Sequence, residues 1–183
     1  MKKLILTSLI LTMTFSANAQ NWWGGKRVKG NGKVLTETRT TSDYDAVSVG
    51  ESFDVVLVKG KEGKITVEAE ENLMKYIIIE VSGDKLKIKF KKNINVRTTK
   101  KLLVTVPYKN LEKVSIGGSG SIYSKGTLKA DKFSISIAGS ENINIKVDAN
   151  TVKSSIAGSG NINVSGSATD FNCSIAGSGN INA

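Results

Sequence analysis

The sequence has no histidine, one cysteine, one proline and few aromatic residues, which make up 6% of its 183 positions. Without histidine, the chain lacks the commonest metal ligand and the commonest general base near neutral pH. Its single cysteine, Cys173, has no partner for a disulfide within the chain, so packing must supply the stability. Scarce proline together with 18 glycines favours strands joined by tight turns.

An apolar stretch covers residues 4–15 at the N-terminus. It follows two lysines and leads into Ala-Asn-Ala at residues 17–19, a small-residue cleavage signal. We therefore expect residues 1–19 to be a secretory signal peptide that leaves Gln20 as the first mature residue. An N-terminal strand or a membrane anchor is the alternative. After Gln20, no apolar run approaches the roughly 20 residues of a membrane-spanning helix.

Basic residues outnumber acidic residues by 26 to 16, which gives a formal net charge of +10. Loss of the signal peptide would remove two lysines and no acid, leaving a net charge of +8. A basic exported protein can meet anionic polysaccharide, lipid headgroups or nucleic acid. Lysines on strand faces also maintain solubility and block edge pairing. We expect no specific nucleic-acid partner.

Lys85, Lys87, Lys89 and Lys91 alternate with apolar residues. A period of two places all four on one outward face of a strand, where they form a candidate anion-binding strip. The alternative is a solvated face whose lysines lie across from acids such as Glu80.

Four segments of the C-terminal third share the pattern Ser-Ile-(Gly/Ala)-Gly-Ser-X-X-Ile. They cover residues 115–122, 136–143, 155–162 and 174–181, and their starts are 21, 19 and 19 residues apart. Apolar residues alternate on both sides of each Gly-Ser turn, which is the period of a strand and not of a helix. Each unit is therefore predicted to form a strand, a turn and a second strand.

A single unit cannot bury its apolar face, but units stacked about 4.8 Å apart pair their backbones and align their side chains. We predict an all-β fold in which residues 115–183 form a single-stranded, parallel, right-handed β-helix, or β-solenoid. A sandwich of hairpins is the alternative. The stacking would place Asn142, Asn161 and Asn180 in an amide ladder beside the turns. Cys173 shares an inward column and is predicted to be buried.

Residues 28–114 alternate like strands without an obvious repeat, and we expect them to form a β-sheet continuous with the solenoid. Residues 20–27 are predicted to be a flexible N-terminus, and residues 70–76 to hold one short helical turn. The last repeat unit stops part-way, so we expect the chain to be truncated at its C-terminus. The expected strands centre on Val47-Val49, Phe53-Val55-Leu57, Ile65-Val67-Ala69, Ile77-Ile79-Val81, Leu86-Ile88-Phe90 and Leu102-Val104-Val106.

The sequence offers no familiar catalytic constellation. Polysaccharide cleavage would need two carboxylates facing one groove, and the acids of the predicted solenoid share no column in pairs: Asp131, Glu141, Asp148 and Asp170. The glycine turns are not a phosphate loop, because no Gly-Lys-Ser/Thr follows them. We predict that the protein is not an enzyme and holds no cofactor and no metal.

Several segments together resemble the GIN domain, a family of adhesin heads. They are Val28-Lys29-Gly30-Asn31-Gly32, Thr38-Arg39, Phe53-Asp54-Val55 and the recurring Gly-Ser-Gly-Asn-Ile. The resemblance covers about residues 27–183 and implies a β-helix-like fold in a secreted or envelope protein of Bacteroidetes-type bacteria. It implies adhesin-like behaviour and brings no ligand residues with it.

These features predict an exported, adhesin-like binding or scaffold protein of the cell envelope, located in the periplasm, at the cell surface or outside the cell. Its partner would be a glycan or another envelope or surface component, contacted by the lysine strip and the asparagine ladder. A structural protein that self-assembles as a homo-oligomer through its solenoid ends is the alternative. A polysaccharide-active β-helix enzyme is the least favoured reading.

Overall fold

The computed structural model describes residues 25–183. The described chain is built from strands and one turn of 3-10 helix at Met74–Tyr76, which confirms the all-β prediction and the helical turn. The strands are β1 (Lys26–Lys29), β2 (Val34–Thr40), β3 (Ala46–Glu51), β4 (Asp54–Lys59), β5 (Lys64–Glu70), β6 (Ile77–Ser82), β7 (Lys85–Phe90), β8 (Ile94–Arg97), β9 (Leu103–Tyr108), β10 (Lys113–Gly118), β11 (Ser121–Gly139), β12 (Asn142–Gly158), β13 (Asn161–Gly177) and β14 (Asn180–Asn182).

The four repeat units pair in parallel and in register, as the column alignment predicts. Ile116 pairs with Ile137, Ile137 with Ile156, and Ile156 with Ile175. The first three of these isoleucines are buried, with 2–3% of their surface exposed. Burial of each such side chain contributes about 1.5–3 kcal/mol, so the column is a main source of the stability that the chain cannot obtain from disulfides.

The spacing of 21 residues between the first two units, against 19 afterwards, has a local cause. The register between β11 and β12 shifts after Tyr123, where three residues of β11 face one residue of β12 before pairing resumes at Thr127. Gly126 lies in this bulge with a φ of 107°, a backbone conformation that glycine adopts without a steric penalty. The two extra residues are absorbed there, so the columns on either side remain aligned.

The parallel stack extends further toward the N-terminus than the sequence indicates. Strands β3 and β4 lie against β10 and the start of β11, so Val49 pairs with Ile116 and Val55 with Ile122. Strands β7 and β9 stack on β3 and β4 in turn. Residues 46–108 therefore contain a repeat that is not obvious in the sequence: two further rungs, each a strand, a connection and a strand, belong to the same columns.

The chain does not form these rungs in sequence order. It forms the rung of β3 and β4 first, then the rung of β7 and β9 on the outer side of it, and returns to the opposite side at β10. Two antiparallel pairings finish this end of the stack: β6 lies against β7, and β5, joined to β2, lies against β9. Residues 46–108 thus belong to a mixed β-sheet that is continuous with the parallel strands of residues 113–183, as predicted for the N-terminal region.

Glu70 ties two loops to this end of the stack. Its buried carboxylate accepts hydrogen bonds from the Gly32 N–H at 2.6 Å, the Thr99 hydroxyl at 2.6 Å and the Thr99 N–H at 2.8 Å. Burial acts to raise the pKa of Glu70, but the donors of Thr99, Gly32 and Lys100 outweigh it and lower this pKa. The ionised carboxylate therefore holds the segments around Gly32 and Thr99 together.

Two predictions for individual segments are corrected. Residues 26–27, expected to be flexible, begin β1, which pairs in parallel with β8; residues 1–24, with the predicted signal peptide and Trp22-Trp23, lie outside the described chain. Cys173 is exposed, not buried, although it pairs with Ser154 in the expected column. It lies in β13, whose outer side is covered only at residues 161–163, by β14.

Candidate ligand-binding surface

The outward side of β7, β3, β10 and the ends of β11, β12 and β13 forms a flat surface with three rows of register partners, here called the serine face. Its middle row is Lys87, Ser48, Ser115, Ser136, Ser155 and Ser174. The row toward the turns is Lys89 with small residues only: Gly50, Gly117, Ala138, Ala157 and Ala176. Short side chains keep this face flat, and a shallow groove of about 450 Å³ opens where it meets Lys87 and Lys89.

The structure separates the four lysines of the candidate strip. Lys85, Lys87 and Lys89 lie on β7 and point outward, whereas Lys91 follows the end of the strand. The Lys89 ammonium donates a 2.8 Å hydrogen bond to Glu80 on β6. This bond and the positive charges of Lys89 and Lys87 lower the pKa of Glu80. Cross-strand pairing with an acid, the alternative considered above, therefore holds for Lys89.

The asparagine ladder lies on a second surface, the outward side of the strand starts that follow each turn. Asn161 donates from Nδ2 to Oδ1 of Asn142 at 2.9 Å, and Asn180 donates to Asn161 at 3.1 Å. The predicted stacking of these three side chains is therefore present, and its role in binding stays a prediction. A second row of register partners runs beside it: Asn144, Asn163 and Asn182, with a bond of 2.9 Å from Asn182 to Asn163.

The ladders leave hydrogen-bonding capacity facing outward. A primary amide has two N–H donors and an oxygen with two lone pairs, and each ladder bond uses one donor of one residue and one lone pair of the next. The remaining donors and acceptors recur at each rung, about 4.8 Å apart. Because the ladder fixes the amide orientation, a ligand that binds along the stack does not have to order these side chains first.

Sequence reasoning missed the second asparagine row and the rung of β3 and β4. The asparagines at 144, 163 and 182 recur at the same 19-residue spacing as the predicted row, so the signal was present. The rung also carries a signal, because Ser48-Val49-Gly50 and Ser52 match Ser115-Ile116-Gly117 and Ser119. Glu51 and Phe53 occupy the positions of Gly118 and Gly120 in that segment, which interrupts the Gly-Ser-Gly signature.

Two of the four acids considered for catalysis accept hydrogen bonds from other side chains. Asp131 accepts a 2.7 Å hydrogen bond from Asn150, and Asp148 accepts one of 2.7 Å from Ser167. Asp170 pairs in register with Thr151, and Glu141 is fully buried inside its turn. Within residues 25–183, no group of three or more Asp, Glu, Cys or His side chains is placed to hold a metal ion.

Comparison with known families decides the classification. The family model described as "Putative auto-transporter adhesin, head GIN domain" matches residues 43–183, which is most of the chain. The chain belongs to this GIN-domain family. The resemblance drawn from the glycine turns is confirmed, and the matched region includes the two rungs that precede the four recognisable repeats.

The solved structures of two proteins from Parabacteroides distasonis ATCC 8503 are similar to this GIN-domain chain. One, described as a "putative lipid binding protein", has 28% sequence identity and a TM-score of 0.78. The other, a "putative adhesin", has 25% identity and a TM-score of 0.66. Both alignments cover 86% of this chain and 76% of the other. A "putative adhesin" of Parabacteroides merdae, 17% identical with a TM-score of 0.54, shares the fold.

No curated protein matches the chain. In the part of the chain that the structure describes, no helix is both long enough and apolar enough to cross a membrane.

Proposed function

We propose that this GIN-domain protein is an exported, adhesin-like binding protein of the cell envelope that acts without catalysis. The observation that carries the proposal is the pair of asparagine rows, which repeat the same outward donors and acceptors at each rung. Such an array suits a polymer whose hydroxyl groups also repeat, and we take a glycan as the ligand class. Each contact would be weak, and several rungs would act together through a high effective concentration.

We also propose that the rungs from β10 onward form a right-handed parallel β-solenoid. The in-register parallel pairing of successive units supports it. A solenoid holds its outward rows on a rigid rod, so the loss of conformational freedom on binding is small. Export would follow from cleavage after residue 19, and the mass of the mature protein isolated from its native cells tests this step directly.

The test uses binding of the purified mature protein to immobilised neutral and acidic polysaccharides and to intact cells. A triple variant, Asn142→Ala, Asn161→Ala and Asn180→Ala, removes one amide row. We expect the wild type to bind at least one polysaccharide. The affinity of the triple variant for that polysaccharide should be lower by at least about tenfold. Absence of binding by the wild type to every polysaccharide and every cell would overturn the proposal.

A matched control removes three exposed polar residues of β2, at the opposite end of the sheet: Thr36→Ala, Thr38→Ala and Thr40→Ala. This variant changes the same number of neutral side chains and leaves both asparagine rows in place. Its affinity should remain within about twofold of the wild type, since the outward amides are unchanged. Equal weakening of both triple variants would assign the loss to general destabilisation and not to the amide row.

Self-assembly is the second candidate for the function. The rung of β7 and β9 is covered by β6 and β5, whereas the far side of β13 exposes Phe171 and Ile175 by 38% and 45% of their surfaces. An open filament through the solenoid ends would need two complementary surfaces, whereas pairing of two copies needs one self-complementary surface. Sedimentation of the mature protein distinguishes a monomer, a dimer and a polymer.

A further inference from the structure

The serine face carries a row of lysines that the alternating sequence pattern does not reveal. Lys85 pairs with Ala46, Ala46 with Lys113, Lys113 with Ser134, and Ser134 with Lys153. Lys85, Lys113 and Lys153 therefore stand in one column at alternate rungs, here called the lysine row. Two rung spacings separate neighbours, which is about 10 Å. The three residues are 28 and 40 positions apart in sequence, and only the stacking brings them into line.

None of the three lysines forms an ion pair within 4 Å among the described residues. Acids adjoin one end of the row: Asp84, Asp45 and Glu112 precede Lys85, Ala46 and Lys113, and backbone hydrogen bonds join these acids. All three lysines are exposed. The ion pairs among the described residues involve other lysines, namely Lys89, Lys101 and Lys129. Beside the row run the hydroxyls of Ser48, Ser115, Ser136 and Ser155, and those of Ser115 and Ser155 donate long 3.4 Å hydrogen bonds to backbone carbonyls. A row of serine hydroxyls, which can donate and accept hydrogen bonds, therefore runs beside a row of regularly spaced positive charges.

We infer that the lysine row and the adjacent serines form a binding track for an acidic polysaccharide lying along the stack. An extended chain of uronic acids repeats one carboxylate and several hydroxyls per sugar, which complements a regular ammonium row beside a hydroxyl row. The track is separate from the asparagine rows. It rests on the proposed non-catalytic binding function and names the ligand class that the serine face binds.

The composition of the serine face favours a polysaccharide over the other polyanions that a basic protein meets. Single-stranded nucleic acid is bound by stacking bases on aromatic side chains, whereas the three rows of this face hold serine, glycine, alanine and lysine with one asparagine, Asn172. Peripheral membrane binding uses apolar side chains that enter the lipid, and this face presents none larger than alanine. A flat polar surface instead matches a ligand that contacts it through charges and hydroxyls.

The experiment measures binding of the mature protein to polygalacturonate by isothermal titration calorimetry at two or more salt concentrations. The row variant carries Lys85→Gln, Lys113→Gln and Lys153→Gln. The control variant carries Lys59→Gln, Lys64→Gln and Lys125→Gln, which are exposed lysines away from the serine face. Both variants lose the same formal charge, so a difference between them reports the position of the lysines and not the net charge.

We expect the row variant to bind polygalacturonate at least about tenfold more weakly than the wild type, with a shallower dependence of affinity on salt. The control variant should stay within about threefold. Equal losses in both variants, or no binding of polygalacturonate by the wild type, would overturn the inference. So would tighter binding, through the same three lysines, to phosphatidylglycerol vesicles or to a single-stranded oligonucleotide.

The outcomes also separate this inference from the proposed function. If the wild type binds neutral glycans or cells through the asparagine row but ignores polygalacturonate, the function stands and the lysine track fails. If the row variant loses polygalacturonate while the amide variant retains it, the two surfaces bind independently.

Discussion

Asn161 donates a 2.9 Å hydrogen bond from Nδ2 to Oδ1 of Asn142, a residue 19 positions earlier and one rung away. Asn180 makes the equivalent bond to Asn161 at 3.1 Å. The bonds are polar, exposed and directed along the stack, so they set the orientation of the amides that the proposed ligand meets. Several measurements of stability test this arrangement and the packing beneath it.

Replacing Asn161 with aspartate should break the ladder at its centre. A carboxylate accepts hydrogen bonds and cannot donate one to Oδ1 of Asn142, and it places a negative charge beside that oxygen. We expect the free energy of unfolding in urea to fall by about 1 kcal/mol. Asn95→Asp, at an exposed position of β8 outside the ladder, is the control and should change it by less than about 0.5 kcal/mol. Equal effects would show that the ladder does not contribute.

Replacing Glu141 with glycine should stabilise the protein. Both carboxylate oxygens of Glu141 are buried without a hydrogen-bond partner, and the equivalent positions in the other repeat turns are Gly120, Gly160 and Gly179. The turn bonds beside Glu141, Ser140 N–H to Gly118 at 3.5 Å and Asn142 N–H to Gly120 at 3.3 Å, are the longest of this series.

Glycine costs about 0.5–1 kcal/mol in backbone entropy, whereas a buried polar group without a hydrogen-bond partner costs about 1–3 kcal/mol. We therefore expect Glu141→Gly to raise the free energy of unfolding by roughly 1 kcal/mol, measured by urea denaturation. The exposed Glu112 supplies the control, since Glu112→Gly removes a solvated carboxylate and should not stabilise. A loss of stability in Glu141→Gly would mean that the carboxylate has a favourable partner in solution.

Replacing Gly158 with alanine should destabilise the stack. Gly158 has a φ of 135°, and an added Cβ would lie 2.2 Å from the carbonyl oxygen of Gly139 on the preceding rung. The strain and the clash together should cost at least about 2 kcal/mol of unfolding free energy. Gly60→Ala is the matched control, because its Cβ would meet only the Pro107 side chain at 3.7 Å. Thermal unfolding that does not distinguish the two variants would contradict the close stacking of the turns.

The contribution of Glu70 should depend on pH. Its pKa is lowered in the folded protein, so the carboxylate stabilises the fold above the ordinary carboxyl range near pH 4.3, and this stabilisation disappears as pH falls through the lower folded value. Glu70→Gln should lose roughly 2 kcal/mol at pH 7 and much less at pH 3. Urea unfolding at both pH values provides the measurement, and an equal loss at each would show that the charge is irrelevant.

The sequence predicted the parts of the fold in which one spacing is repeated. A constant 19-residue offset aligns Ile137 with Ile156 and Asn142 with Asn161 without any other knowledge of the structure. It could not predict the stacking of β7 on β3, because the chain places β4, β5 and β6 between them in sequence and then returns to the other side of β3. Chain order conceals the rung of β7 and β9, whereas Glu51 and Phe53 interrupt the turn signature in the rung of β3 and β4.

Burial was the second limit on prediction. The column of Ile135, Ser154 and Cys173 correctly places all three in register, but burial requires a neighbour on both sides, and Cys173 lies in the last long strand. Glu141 shows the opposite case, since an acid at a turn is expected to face water and this one is fully buried. The lysine row of the serine face could not be predicted either, because its three lysines lie on strands that are far apart in sequence.

The account depends most on the claim that a ligand lies along the stack and contacts several rungs at once. Affinity measured against a length series of one glycan, from short oligomers to long ones, tests this claim most directly. Each additional contacted rung should strengthen binding until the oligomer spans the asparagine rows or the lysine row, after which the affinity should level off. If the affinity per oligosaccharide molecule is the same for the shortest and the longest oligomers, the binding lies at a single local site, which would contradict the account.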